Sequence, residues 1–324
     1  MATSPGAALP IIDVSGLSSR EESDRRAVAS AIHAACIDRG FFYIKGHGIP
    51  AGLIDAVFAE TRAFFDQPEA LKREVAKTNS FCNRGWEPLR AQALEPGTPP
   101  DLKENFYLGR DLPLHHPSVV ARKFNHGPNQ WPAGMLSFRP TMRAYYEAML
   151  DLSERVMAAL AIALDLPPGY LDTFHEAPMA TLRLLHYPPQ PPDALAGQKG
   201  VGAHTDFGVL TFLLQDENGG LQVQDQGSGT WLDVTPIPGT YVVNLGDTIA
   251  RWTNDRYRST RHRVINTSGR RRYSIPFFFN GNPDYLVECL PGCLAAGESP
   301  RYRPNTVAGH MREMYERSYA LPST

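Results

Sequence analysis

Cysteine is scarce in this sequence. Four residues, Cys36, Cys82, Cys289 and Cys293, are spread over 324 positions. That is too few and too irregular for a disulfide scaffold, and it suits a reducing compartment, so the cytoplasm is the expected location. Cys289 and Cys293 have no second cysteine or histidine pair near them, which argues against a structural zinc site. No run of eighteen apolar residues occurs, so no membrane span is expected. The N-terminus lacks the basic segment and apolar core of a signal peptide. An excess of one charge is missing too. The formal net charge is −2, and nothing global points to a nucleic-acid partner. Eight arginines do crowd positions 251–272, but strand alternation would divide them between two faces. What remains, 42% hydrophobic and 20% charged, is an ordinary globular chain with ample core-forming material. We expect one folded unit over 1–324, monomeric or a weak homo-oligomer.

Its texture changes midway. Leu9–Val14 reads as a short strand. Between Arg20 and Asp38, Val28, Ala31, Ile32, Ala35 and Cys36 recur at helical spacing, and Gly40 stands where a left-handed cap ends a helix. Phe41–Ile44 reads as a buried strand, and a second helix runs from Pro50 to near Pro68. Residues 79–140 are irregular, rich in Pro, Gly, His and Asn, with Trp86 and Trp131 among them; they are expected to form lid and pocket wall. A long helix is expected over Thr141–Leu164. Short strands follow at Thr181–Tyr187, Val209–Gln215, Leu221–Asp225, Thr230–Val234, Tyr241–Leu245, Thr260–Asn266 and Tyr273–Phe279, separated by turn signals such as Asn218-Gly219-Gly220. Strands of this kind indicate a sandwich or barrel. The expected organisation is a helix-rich region (1–170), a strand-rich core (171–290) and a tail (291–324) with a closing helix over Pro304–Tyr319.

Chemistry is concentrated in Val201-Gly-Ala-His-Thr-Asp-Phe-Gly-Val-Leu-Thr211. On an extended strand His204 and Asp206 share a face, and Thr205 turns away to pack. Alone the pair is weak, since histidine is commonly a satisfied polar side chain and aspartate a turn former. His262, in Ser259-Thr-Arg-His-Arg-Val264, supplies a third ligand. Two imidazoles and one carboxylate with open positions make the facial arrangement used for non-haem Fe(II). Ten residues on, Arg272 and Ser274 share a strand face, and a guanidinium beside a hydroxyl suits a carboxylate. Positions 272, 274, 276 and 278 should point into the barrel, with 271 and 273 outward. Tyr187 is a further candidate for the same carboxylate, and Arg183 has its parity. His33, His47, His115, His116, His126, His175, His186 and His310 lack ligand-like spacing.

These residues resemble the iron(II)/2-oxoglutarate-dependent dioxygenases of the isopenicillin N synthase-like family. The resemblance runs from Leu9-Pro-Ile-Ile-Asp-Val and Gly40-Phe-Phe-Tyr-Ile-Lys-Gly-His-Gly-Ile-Pro50 through Lys103-Glu-Asn-Phe106 and Leu184-Leu-His-Tyr-Pro-Pro189. It continues through His204–Thr211, Gly220-Leu-Gln-Val-Gln224, Val243-Asn-Leu-Gly-Asp247, Trp252-Thr-Asn254 and Ser259–Val264 to Arg272-Tyr-Ser-Ile-Pro-Phe-Phe278. It implies a mainly β fold, a double-stranded β-helix (jelly-roll) core packed against N-terminal and central helices. It implies His204, Asp206 and His262 as iron ligands, and Arg272 and Ser274 with Tyr187 on the distal carboxylate of 2-oxoglutarate. Fe(II), 2-oxoglutarate and O2 would then serve to hydroxylate, desaturate or cyclise a small organic substrate, releasing succinate and CO2, with ascorbate supporting activity in vitro. One position departs from the pattern: many plant members carry Asn where this chain has Leu185. Alternatives consistent with the same motifs are a 2-oxoglutarate-independent oxidase of the synthase type, an ethylene-forming enzyme, and a non-catalytic ligand-binding or sensing module. Arg84, Trp86, Phe106, Tyr107, Phe207 and Phe279 are the candidate walls of the substrate pocket.

Overall fold

The computed structural model describes residues 8–319 apart from 192, 193 and 196. Among the described residues the strands are β1 Ile11–Asp13, β2 Phe41–Lys45, β3 Gly85–Glu87, β4 Glu104–Gly109, β5 Ala180–Tyr187, β6 Val201–His204, β7 Leu210–Gln215, β8 Leu221–Gln224, β9 Trp231–Asp233, β10 Tyr241–Leu245, β11 His262–Val264, β12 Arg272–Phe279, β13 Leu286–Val287 and β14 Asn305–Thr306. The α-helices are α1 Glu22–Asp38, α2 Ala51–Phe65, α3 Glu69–Glu74, α4 Pro117–Val120, α5 Phe138–Ala163, α6 Asp172–His175, α7 Asp247–Trp252 and α8 Val307–Tyr319. None of these helices is long and apolar enough to cross a membrane.

An eight-stranded sheet runs β1-β2-β10-β7-β12-β5-β4-β3, and a four-stranded sheet runs β6-β11-β8-β9. Period-two alternation sorts the side chains of the larger sheet. Phe42, Ile44, Phe212, Val243, Ile275 and Phe277 join the core shared with α1, α2 and α5. Phe41, Tyr43, Leu185, Tyr187 and Val242 join a second core with Val201, Leu221, Val223 and Val264 of the smaller sheet. The two sheets are therefore held face to face over apolar side chains, with helices on the outer side: the jelly-roll fold. Gly40 ends α1 with φ +65°, its N–H returning to the carbonyl of Ala35 at 2.9 Å. A Cβ there would lie 1.9 Å from the Arg258 carbonyl oxygen, so glycine is required.

The structure corrects two expectations. Residues 79–140 are less irregular than their composition suggests, because β3 and β4 lie within them and extend the main sheet. Every residue of β4 is buried, including Glu104 and Asn105. Such a strand shows no alternation of apolar and polar residues, and the polar residues at its start hid it. The strand that carries His204 also ends there, leaving Asp206 in the connection to β7.

Candidate metal and co-substrate site

β11 lies antiparallel to β6 with His262 directly opposite His204. This register brings two imidazoles to one end of the gap between the sheets. Each ring is oriented from behind. His204 Nδ1 lies 2.8 Å from the Gly202 carbonyl, and His262 Nδ1 lies 3.2 Å from that of Thr260. Donation from Nδ1–H leaves each Nε2 lone pair for a metal. Asp206 is buried, and its Oδ2 accepts from Thr211 Oγ1 at 2.6 Å and Asn244 Nδ2 at 2.7 Å. Its Oδ1 is turned the other way, 3.7 Å from both Nε2 atoms. All three ligand atoms lie within 4.8 Å of one another. Two bonds of about 2.1 Å span about 4.2 Å at most, so a first-row ion fits between the carboxylate and either ring. The donor set of nitrogen and oxygen without sulfur suits Fe(II).

The electrostatics agree with a ligand role. Burial, then the neighbouring His262, push the His204 pKa down to about 3, so this imidazole is neutral near pH 7. Burial acts to raise that of Asp206, but the two histidines and the hydrogen bonds from Asn244 and Thr211 outweigh it and hold the carboxyl below its usual range.

At the far end of the same gap lies Arg272, fully buried. Its Nε donates to the Gly219 carbonyl, Nη2 to Gln215 Oε1 at 3.0 Å and Nη1 to Ser274 Oγ at 3.2 Å. Its guanidinium carbon sits 4.7 Å from the centre of the Tyr187 ring. A cavity of about 540 Å³ joins this end to the histidines; Arg272, Ser274, Pro276 and Phe278 all line it, as strand parity requires, together with Tyr187 and Leu185. A second cavity of about 610 Å³ opens on the other side of His204 and Asp206, walled by Tyr107, Phe207, Phe278, Met311 and Tyr315. Arg183 lines both.

Of the candidate pocket residues, Tyr107 and Phe207 are on this wall. Arg84, Trp86, Phe106 and Phe279 line neither cavity. Arg84 donates to the carbonyls of Cys82 and Asn125, at 2.9 and 2.7 Å. Phe106 packs on Phe64 and Phe138, and Phe279 on Phe174. Phe279 has the wrong parity, and Phe278 takes the place expected of it. Thr205 is not merely packing: its hydroxyl donates to Asp247 at 3.1 Å. Sequence reasoning missed Thr211, Asn244 and Gln215. Thr211 and Gln215 share the parity of Leu213, which lines the first cavity, and this could have revealed them.

The connection bearing Asp206 is held by α7. Asp247 N–H donates to the Asp206 carbonyl at 2.7 Å and Thr248 N–H to the Gly208 carbonyl at 3.1 Å. Asp247 also accepts from Ser259 Oγ at 2.7 Å, tying in the segment before His262. This close approach depends on Gly246, where a Cβ would come within 2.4 Å of the Gly208 oxygen and 2.8 Å of the Asp206 oxygen. Gly246→Ala is expected to cost about 1–3 kcal/mol of stability, as overpacking does, and to weaken metal binding by shifting Asp206. Denaturant melts and metal titration check both.

From α8, His310 Nε2 reaches the Phe207 carbonyl at 3.1 Å. Burial, then Arg251, lower its pKa to about 4. An unfolded imidazole takes up its proton near 6.5, so between about 6.5 and 4 the unfolded chain holds more protons. Stability contributed by this group is present above about 6.5 and is lost as pH falls through that window. In thermal melts between pH 7 and 5, His310→Gln is expected to flatten the slope by up to about 1.4 kcal/mol per pH unit.

Two family models match this chain. Residues 9–134 match the family model of the non-haem dioxygenase in morphine synthesis N-terminal region, and 178–281 match the 2OG-Fe(II) oxygenase superfamily. The 2-oxoglutarate-Fe(II) type oxidoreductase hxnY of Emericella nidulans is 47% identical over 96% of this chain and 90% of its own length. The 2-oxoglutarate-dependent dioxygenase citB of Monascus ruber is 44% identical over 87% of each. Among solved structures, a full-length Neurospora crassa protein in complex with alpha-KG and thymine superposes with a TM-score of 0.85 at 32% identity, covering 98% of this chain and 99% of that one.

Proposed function

We propose residue roles and a substrate class for this chain, which belongs to the 2OG-Fe(II) oxygenase superfamily and is an Fe(II)/2-oxoglutarate-dependent oxygenase of small organic molecules. His204 Nε2, Asp206 Oδ1 and His262 Nε2 hold Fe(II). Arg272 and Ser274, with the Tyr187 ring beneath the guanidinium, hold the distal carboxylate of 2-oxoglutarate. The bound iron and co-substrate supply the oxidising power, with succinate and CO2 as co-products. The protein's residues set ligand geometry, place the substrate and keep water out. The observation that carries this reading is the cavity with a buried guanidinium at one end and three converging ligand atoms at the other.

The substrate is a small planar aromatic or heteroaromatic compound with an acidic or carbonyl oxygen. Aromatic side chains (Tyr107, Phe207, Phe278, Tyr315) wall the outer cavity. Half-buried Arg183 lies 4.5 Å from the Tyr107 ring centre and 5.8 Å from that of Phe278, and donates to Asn105 Oδ1 at 3.2 Å. A guanidinium fixed in this way can pair with a ring carbonyl, phenolate or carboxylate. The Neurospora crassa complex, with thymine bound, supports the class. The arginine-rich stretch supports a small-molecule role over nucleic acid: Arg272 is buried, Arg271 pairs with Asp66 at 2.6 Å, and Arg263 covers Trp231 at 4.0 Å.

Succinate release should be screened over pyridine, pyrimidine, benzoate and phenol derivatives against aliphatic amino acids and aliphatic acids. With the best ring substrate, Arg183→Leu is expected to raise its KM about 10- to 100-fold, the worth of one charge-assisted hydrogen bond. Turnover confined to aliphatic compounds would sink the proposal.

A further inference from the structure

Besides Arg272, the cavity that reaches the histidines is lined by two cations: Arg183, whose guanidinium lies against the Tyr107 and Phe278 rings, and Lys103. Lys103 is 2% exposed, yet it lines this cavity. Its neighbours in sequence explain why it faces inward. Glu104, on the opposite face of the strand, is bound by Lys72 at 2.8 Å, Trp86 Nε1 at 2.8 Å and His186 Nδ1 at 2.7 Å. β4 is thereby fixed, and alternation turns Lys103 toward the smaller sheet. Among the described residues Asp101 is the hydrogen-bond partner of its ammonium, at 2.5 Å. Asp101 Oδ1 in turn accepts from Gly202 N–H at 2.9 Å, two residues before His204. The pair therefore stands against β6, the strand that ends at His204.

A buried ammonium has three donors, and one of them goes to Asp101. Burial lowers the Lys103 pKa, and Asp101 opposes that effect. Two N–H bonds are left in a closed space where unmade hydrogen bonds are costly. Leu185, on the same wall, can offer an incoming ligand nothing polar. We propose that Lys103 donates to the keto-acid end of 2-oxoglutarate, so that this chain grips its co-substrate with a cation at each end. The proposal rests on the reading of Arg272 as the distal-carboxylate anchor.

Calorimetry on the full chain loaded with Mn(II), which binds without oxygen chemistry, tests it with two ligands. These are 2-oxoglutarate and 2-oxopentanoate, which keeps the keto-acid end and lacks the distal carboxylate. Asp101→Asn keeps the acceptor for Gly202 and is the background against which the loss of Lys103 is read. Adding Lys103→Met removes the ammonium without stranding a buried carboxylate. It should weaken both ligands by a similar factor, about 10- to 100-fold for a charge-assisted hydrogen bond. If the double variant does not fold, Lys103→Met alone is measured in its place with the same expectation. A change under threefold for 2-oxoglutarate overturns the proposal, as does a loss confined to 2-oxoglutarate, which would put Lys103 at the distal end. Arg272→Leu is the separate control, weakening 2-oxoglutarate but not 2-oxopentanoate. If that control fails, the reading of Arg272 fails, whatever Lys103 does.

Discussion

Asp206→Asn is expected to abolish metal binding while leaving the fold intact. Asp206 Oδ2 accepts from Thr211 and Asn244, and an asparagine oxygen can occupy the same place and keep both bonds. The change falls on the other atom. An amide NH2 then replaces Oδ1 between two imidazole Nε2 atoms, each 3.7 Å from that oxygen. It can donate to those lone pairs, whereas a cation cannot bind it. Two imidazoles remain as ligands, and the only anionic one is gone. Removing one partner of a buried charge pair costs about 3–5 kcal/mol, which corresponds to at least about 10²-fold in metal affinity. Succinate formation should fall to background, and the melting temperature of the metal-free protein should hardly move. Asp206→Ala should lose metal equally but also melt earlier, since it leaves the Thr211 hydroxyl and the Asn244 amide without their acceptor, at about 1–3 kcal/mol. Elemental analysis of protein reconstituted with Fe(II), beside thermal melts, separates the two effects. An Asp206→Asn protein that kept its iron and its turnover would refute the ligand assignment.

How much of this site the sequence disclosed depends on which physical pattern each residue obeys. His204, Asp206 and His262 carry chemistry-specific side chains, and Arg272 and Ser274 lie on a strand whose alternation is regular, so residue type and parity singled them out as candidates, and the fold brings them to one cavity. The same parity selects Phe278 over Phe279, although both were plausible by residue type. β4 could not be read in this way. Buried on both faces, it holds Glu104 and Asn105 in a polar network, and polar residues in a strand look like loop. Arg84 shows the opposite error. An arginine in an irregular stretch suggests a ligand contact, but here the guanidinium satisfies buried carbonyls. Lys103 stayed hidden because its function depends on which strand faces the cavity, a tertiary fact. Helices and strands with clean periodicity were legible, while partners brought together across sheets, such as Asn244 with Asp206 or Gln215 with Arg272, were not.

Arg272→Leu is expected to raise the KM for 2-oxoglutarate about 10²- to 10³-fold. Truncating one partner of a buried, hydrogen-bonded charge pair costs about 2–5 kcal/mol, chiefly because the other charge is left unpaired. Arg272 is built for such a pair. Of its five N–H donors, three are used by Gly219, Gln215 and Ser274, which fix the plane of the fork. The Tyr187 ring lies 4.7 Å from the guanidinium carbon, and the remaining donors can meet a carboxylate with both oxygens. Lysine cannot reproduce this arrangement. It keeps the charge but offers no planar fork, so Arg272→Lys should still raise KM about 10-fold or more. Leucine also strips the Gly219 carbonyl and Gln215 Oε1 of their donor, so a loss of about 1–3 kcal/mol in stability accompanies the kinetic effect. Assays well below the melting transition keep the two apart. The kinetic signature is specific: succinate formation at saturating 2-oxoglutarate should recover far more than kcat/KM does, because the lost contact is to a carboxylate that takes no part in the oxidation. An unchanged KM for 2-oxoglutarate in Arg272→Leu would place the distal carboxylate elsewhere.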